Sequence, residues 1–317
     1  MTPDVSWPAW PLRFKAYLDE RFKPGTTVVT TGMMVAAHGL AAHAVAGVAP
    51  EPAIAGRLGL VTLVLVLMFF HLRVFDEHKD HAIDRVAYPG RVLSRGWVTL
   101  EQLRSLAIAA IALELGLAAL VGGRFLLLVS GCIGYTLLML REFGIGPWLR
   151  RHLFVYGLSH MAILYGMVLA IYASLPGLSP ASDPFAWPLL GYAGVGYGMV
   201  FSLEVARKVW HPDDEKPGVD SYSGRLGIPR AVATLLAFQA ASLVLLAALS
   251  GPLHLHVASW LSAVAAWALA FGVLVTGVRK GQVDGYPRDL GRRVEAVAAL
   301  PVLVFNLALL IDWGMFR

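Results

Sequence analysis

An all-α, polytopic membrane protein of about nine transmembrane helices is the fold class the sequence predicts, and three observations predict it. Hydrophobic residues make up 57% of the 317 residues and charged ones 15%, and the mean hydropathy of +0.64 is well above that of soluble globular chains. Apolar segments of about 20 residues, enough to cross roughly 30 Å of hydrocarbon, recur along the whole chain. They leave no room for a separate soluble domain, so residues 1–317 read as one domain. Charge gathers in alternate connections between these segments.

The N-terminal segment, residues 1–27, contains an amphipathic stretch from 10 to 24 that reads as a helix at the membrane surface. Trp10, Phe14, Tyr17, Leu18 and Phe22 form its apolar side, and Arg13, Lys15, Arg21 and Lys23 make it basic. The start from Trp7 to Lys15 lacks an apolar core followed by a small-residue cleavage site, so the first span is expected to direct insertion. Spans are expected near 28–48, 57–75, 99–121, 124–141, 152–174, 186–206, 230–250, 255–278 and 294–313. On one side of them fall the N-terminal cations, Arg73 to Arg95, Arg141 with Arg150 and Arg151, Arg207 to Arg230, and Arg279 to Arg293. The opposite side has only Arg57, Arg124 and Arg317. The positive-inside rule then places the N-terminus in the cytoplasm and the C-terminus outside, which requires an odd number of spans. The external connections are short, and 175–185 is rich in Pro, Ser and Gly. Polar chemistry therefore belongs to the cytoplasmic cap loops near 73–96 and 204–227. The net charge of +5 follows this topology and implies no nucleic-acid partner. Cys132 is alone and lies in a span, which excludes a disulfide framework or a cysteine-ligated metal.

The most telling stretch runs from Arg73 to Arg85, directly after the apolar run Leu58 to Phe70. Asp76, Asp80 and Asp84 are spaced i, i+4, i+8, which on a helix puts three carboxylates on one face. Like charges at that spacing repel, so something must compensate them. Magnesium suits such oxygen clusters and typically takes one or two carboxylates plus the phosphates of a substrate. Arg73, Lys79, Arg85, Arg91 and Arg95 interleave with Asp76, Glu77, Asp80 and Asp84. Carboxylates for a metal beside cations for phosphate oxygens are what a diphosphate leaving group needs. The same residues also fit a solvated helix end with pairs such as Arg73 with Glu77. A second cluster on the same face (Glu204, Arg207, Lys208, Asp213, Asp214, Glu215, Lys216 and Asp220) favours the first reading, because two clusters can enclose a ligand. Arg91 to Gly96 after the second span and Asp220 to Gly227 after the sixth form a weak internal repeat on one membrane face.

Asp76 to Gly96 resembles the first signature of the UbiA superfamily of intramembrane prenyltransferases, an N/D-x-x-x-D-x-x-x-D run followed by R-x-L-x-x-G. Asp76, Asp80 and Asp84 match the acidic positions; Arg91, Leu93 and Gly96 match the basic segment. Glu204 to Gly227 resembles the second, aspartate-rich signature, with Gly218, Ser221 and Gly227 as its punctuation. The resemblance covers most of the chain and implies nine helices around a central cavity. Mg2+ would bridge Asp76, Asp80 and Asp84 on one wall and Glu204, Asp213 or Asp214 on the other. Asp80, Asp84 and Lys208 would be catalytic, and Arg73, Lys79, Arg91, Arg150, Arg151, Arg207 and Tyr222 would contact substrate. The implied partners are an isoprenyl diphosphate donor, a lipophilic acceptor, often an aromatic ring, and membrane lipid. The implied location is a bacterial or archaeal cytoplasmic membrane, with the active site facing the cytoplasm. One departure stands out: Lys208 occupies the second acidic position of D-x-x-x-D on the sixth span, so it substitutes for part of a metal site or marks altered chemistry. A membrane terpene cyclase of the same architecture and a non-enzymatic ion or lipid transporter are the alternatives. Arg150 and Arg151 equally fit topology determinants.

Other polar residues fall outside the signatures. His71, His78 and His81 do not share one helical face, which disfavours a zinc site. His160 is expected to hydrogen-bond a neighbouring helix, with acceptor contact as the other reading. Glu114 is an intramembrane carboxylate that serves either as a cavity base or sits near the outer interface. Asn306 and Asp312 fall in the last span, Asp312 at its interface. The run Gly191 to Gly198 reads as a close-packing helix face, since no strand precedes it to make a nucleotide loop.

Overall fold

The computed structural model describes residues 8–49, 51, 54–175, 186–216 and 218–315. Residues 176–185 of the Pro-, Ser- and Gly-rich connection, the start up to Trp7, Pro217 and the terminal Arg317 lie outside the described residues. The described chain forms helices α1 (Trp10–Arg21), α2 (Pro24–Ala46), α3 (Ile54–Ala87), α4 (Leu100–Val121), α5 (Gly123–Leu140) and α6 (Gly146–Arg151). These are followed by α7 (Leu153–Ala173), α8 (Trp187–Arg207), α9 (Tyr222–Leu226), α10 (Ile228–Ala248), α11 (Val257–Asp284) and α12 (Leu290–Met315). Among the described residues no strand forms, and nine helices are long and apolar enough to cross a membrane: α2, α3, α4, α5, α7, α8, α10, α11 and α12. The chain is an integral membrane protein of the expected span number.

Boundaries differ where charge enters. α3 runs on for 34 residues through Asp76, Asp80 and Asp84, so the first cap loop begins only after Ala87. No proline interrupts the run before Pro89-Gly90, and an uninterrupted run continues as helix. α4 then starts at a capping box, in which Gln102 N–H donates to the Thr99 hydroxyl at 3.2 Å and Thr99 N–H donates to the Gln102 side chain at 3.0 Å.

One apolar core joins α3, α4, α5 and α7, with Val35 of α2 at its edge; a second set joins α8, α10, α11 and α12. α8 packs most extensively on α10, and its small-residue face explains why. A Cβ on Gly191 would stand 3.0 Å from Leu249, and one on Gly198 would overlap the Ser242 hydroxyl. Backbones approach where side chains are missing.

Two sets of polar groups inside the bundle bond to one another, which a medium without water favours. Gln239 of α10 donates to the Ala298 carbonyl of α12 at 2.9 Å and to Ser202 of α8 at 3.1 Å. Glu114 is neither in a cavity nor at an interface: it is fully buried and hydrogen-bonded to His71 Nδ1 at 2.7 Å, while His71 Nε2 stands 3.1 Å from the Thr136 hydroxyl. This set ties α3, α4 and α5 together. Asp312 is also buried and accepts the backbone N–H of His256 at 2.7 Å, just before α11.

The apolar side of α1 faces protein. Trp10, Phe14, Tyr17 and Leu18 pack with Val74 of α3, Val92 and Leu93 of the first cap loop, and Leu103 of α4. α1 is thereby a fixed part of the charged end of the bundle.

Candidate functional site

A polar cavity of about 310 Å³ opens at that end, where α3, α5 and α8 finish and α7 begins. Arg21 of α1, Asp80, Ile83 and Asp84 of α3, and Tyr88 and Arg91 of the first cap loop line one side. Glu142, Arg150, Leu153 and Tyr156 line a second side, and Lys208, Trp210 and Gly218 to Asp220 close the third. Four cations and four carboxylates therefore face a single space.

α1 is pinned by Arg13, which donates to the Trp97 carbonyl at 3.1 Å, and by Glu20, which accepts the Val92 N–H at 3.2 Å. Its last residue, Arg21, donates to Glu77 at 2.5 Å and lies 3.6 Å from Asp84. Burial favours loss of the Arg21 proton, but Glu77 and Asp84 outweigh it and raise the guanidinium above its ordinary value. Arg91 also bonds Asp84, and its guanidinium lies 3.7 Å from the Tyr88 ring centroid. Lys216 stands 3.8 Å from the same ring centroid and donates to the Ala87 carbonyl at 2.8 Å, which fastens the second cap loop to the end of α3. Within that loop the Ser221 and Ser223 hydroxyls both donate to Glu215, and Ser221 accepts the Gly224 N–H at 2.8 Å. Gly218 and Gly227 have φ of 79° and 78°, which a residue with a Cβ rarely adopts. Arg150 is held by Glu142 at 2.9 Å, and that hydrogen bond raises its guanidinium above the usual range.

Of the residues singled out from sequence, Asp80, Asp84, Arg91, Arg150 and Lys208 are brought together around the cavity. Asp76 lies beside it, bonded to Lys79 at 3.3 Å and 3.8 Å from Arg73; Glu77, the residue expected to pair with Arg73, pairs with Arg21 instead. Lys79 caps the Tyr156 ring, 5.4 Å from its centroid. Arg151 and Arg207 are exposed, and Tyr222 is buried in the apolar core beside Phe154. Glu204 gives one oxygen to Arg207 at 2.5 Å and the other to Lys208 at 2.9 Å. Asp213 pairs with Arg288 at 2.5 Å, and Asp214 is exposed. His71, His78 and His81 form no common site, since His71 is committed to Glu114 and His78 to the Val74 carbonyl at 2.8 Å. His160 bonds the Tyr156 carbonyl of its own helix at 2.9 Å rather than a neighbouring helix.

Among the described residues no three His, Cys, Asp or Glu side chains stand ready to hold a metal ion by themselves. Asp80 and Asp84 nonetheless suit magnesium, which needs only one or two carboxylates when phosphates supply the rest. They are one turn apart on α3, both line the cavity, and Asp80 makes no hydrogen bond or ion pair among the described residues. The opposite wall does not suit it: both oxygens of Glu204 are taken, and Asp213 and Asp214 face away. The carboxylate that reaches the cavity from that side is Asp220, already bonded to Arg225 at 2.8 Å.

Sequence reading missed Arg21, Tyr88, Glu142, Tyr156 and Trp210 as cavity residues, whereas Asp220, placed in the second charged cluster, does reach the cavity. The helical spacing of Arg21 placed it on a surface helix, and nothing in its local pattern distinguished it from Arg13 or Lys23. Tyr88 carried a usable signal, an aromatic between the acidic ladder and Arg91.

Two solved structures resemble this one. The structure of a digeranylgeranylglyceryl phosphate synthase aligns over 95% of this chain and 98% of its own, with a TM-score of 0.60 at 13% identity. That of a UbiA homologue from Aeropyrum pernix K1 aligns over 90% and 98%, with a TM-score of 0.58 at 18% identity. No family model matches the chain, and no curated protein matches it. Nine apolar helices in the same arrangement, with the acidic end of α3 at the mouth of a polar cavity, give this chain the fold of the UbiA-type membrane proteins.

Proposed function

We propose that this chain is a magnesium-dependent prenyltransferase, which ionises an isoprenyl diphosphate in the polar cavity and passes the prenyl group to an aromatic or other lipophilic acceptor. The observation that carries the reading is the meeting of Asp80 and Asp84 with Arg21, Arg91, Arg150 and Lys208 around one space, within a fold shared with a UbiA homologue. Magnesium, held by Asp80 and Asp84, would supply charge neutralisation to the departing diphosphate. The four cations hold its oxygens and stabilise the negative charge that grows as the carbon–oxygen bond breaks. Tyr156 lines the cavity from α7, its ring stacked on His160 at 4.0 Å between centroids and capped by Lys79. The apolar interior beneath receives the isoprenoid tail and keeps water from the allylic cation. The charged end faces the cytoplasm of a bacterial or archaeal membrane, with the N-terminus inside and the C-terminus outside.

The test is incubation of the purified protein with magnesium and a series of allylic diphosphates, with and without a lipid extract, followed by mass analysis. Release of pyrophosphate together with a prenylated lipid supports the proposal. No pyrophosphate from any donor sinks it. A hydrocarbon product formed without extract replaces transfer by cyclisation, and uptake into proteoliposomes without turnover replaces it by transport.

A further inference from the structure

A second cavity, about 460 Å³, lies between α10 and α11 and shares no residue with the charged site. The two helices run antiparallel, and the groove extends from Pro229 to Ala240 on α10 and from Gln282 back to Trp267 on α11. Small residues create it: Ala233, Ala237 and Ala240 recur on one face of α10 and leave the space beside Phe271 unfilled. The lining from Pro229 to Ala240 on α10 and its apolar part from Val278 to Trp267 on α11 each cover about 16 Å, close to half of a hydrocarbon core of roughly 30 Å. The groove is therefore one leaflet deep.

Its charged and amide side chains, Arg279 and Gln282, are confined to the charged end of the bundle, while the Trp267 indole N–H at the other end has no hydrogen-bond partner among the described residues. Arg279 is exposed, and its side chain makes no ion pair or hydrogen bond among the described residues. Arg230 and Lys280, at the same end of α10 and α11, are likewise exposed and make none through their side chains. Asp284 is the carboxylate at this end of α11, so cations outnumber it. An apolar slot of one leaflet's depth capped by unpaired cations matches an amphiphile with an anionic head and one long chain.

We propose that this groove binds one acyl chain of an anionic glycerophospholipid, with the headgroup phosphate held by Arg279. The site is independent of the proposed transfer reaction. A zwitterionic lipid gains the apolar contacts but little from the guanidinium.

Native mass spectrometry of the full chain in mild detergent tests it, with equimolar phosphatidylglycerol and phosphatidylcholine of identical chains. Phosphatidylglycerol should be retained about fivefold more, the factor one basic residue near the headgroups supplies. Arg279→Gln should remove that preference and leave phosphatidylcholine retention unchanged. Ala237→Trp, which fills the slot, should lower retention of both lipids. Equal retention of the two lipids by the unaltered chain overturns the proposal, as does a preference that survives Arg279→Gln. Displacement of phosphatidylglycerol by a lower concentration of farnesyl diphosphate also overturns it, because the groove would then be a donor site. Arg279→Gln alters an exposed side chain and decides the matter even where Ala237→Trp fails to fold.

Discussion

Arg21 is the residue on which the sharpest prediction rests, because it joins α1 to the acidic face of α3. Its guanidinium is 2.5 Å from Glu77, whose side chain is 2% exposed, while that of Arg21 is 17% exposed. Glu77 has no other ion-pair partner among the described residues. Arg21→Ala would leave a carboxylate charged and buried, which typically costs about 3–5 kcal/mol. Glu77→Gln removes the charge and leaves Arg21 beside Asp84, at about 1 kcal/mol for the weakened hydrogen bond. The double variant has no orphaned charge and should be more stable than Arg21→Ala alone by about 2 kcal/mol, which with the cost of Glu77→Gln makes a coupling of about 3 kcal/mol across the cycle. Unfolding in mixed micelles, followed by tryptophan fluorescence, measures all four proteins. Equal stability of Arg21→Ala and the double variant would refute the assignment of Glu77 as a buried charge that depends on α1.

Three further outcomes follow from the same geometry. Asp80→Ala should abolish magnesium-dependent pyrophosphate release, a loss of at least about 10²-fold, assayed with an allylic diphosphate; unchanged release removes Asp80 from the mechanism. Lys208→Ala should weaken inorganic pyrophosphate binding about tenfold, the loss of one charge-assisted contact, as read by titration calorimetry, and Lys208→Asp should raise the number of magnesium ions bound with it. Glu114→Leu leaves His71 Nδ1 without its partner and should cost about 1–3 kcal/mol in detergent stability, whereas Glu114→Gln, which keeps a hydrogen-bonding group there, should cost less.

The span count was legible because hydrophobic length is a one-dimensional property, and nine apolar runs became nine helices. The acidic ladder was legible for a related reason: its spacing is helical, and α3 continues straight through it. Arg21 and Tyr156 were not legible. Each reaches the cavity through a contact between elements distant in sequence, α1 laid across α3 in the first case and α7 set against α3 in the second. Glu77 shows the same limit, since local spacing offered it Arg73, while packing gave it a partner 56 residues earlier. Helical periodicity names the face a side chain occupies, and only the packing of helices names what that face meets.

The facing motif carries the deeper lesson, because its departure from an acidic pair is visible in sequence while its consequence is not. Lys208 lines the cavity and simultaneously binds Glu204, so one substitution both adds a cation and removes a carboxylate from the ligand set. Asp213 and Asp214, the nearest replacements along the chain, are carried outward by the turn that follows His211, where Asp213 meets Arg288. The cavity is left with equal numbers of cations and carboxylates, and of those carboxylates only Asp80 makes no ion pair among the described residues. A site lined by carboxylates on both walls repels a diphosphate until metal ions reverse its charge. A balanced site does not, so under the proposed function this cavity would hold a diphosphate largely through its own cations and would need metal chiefly at Asp80. On that proposal the identity of residue 208 would set how much of the anion's charge is met by protein and how much by magnesium.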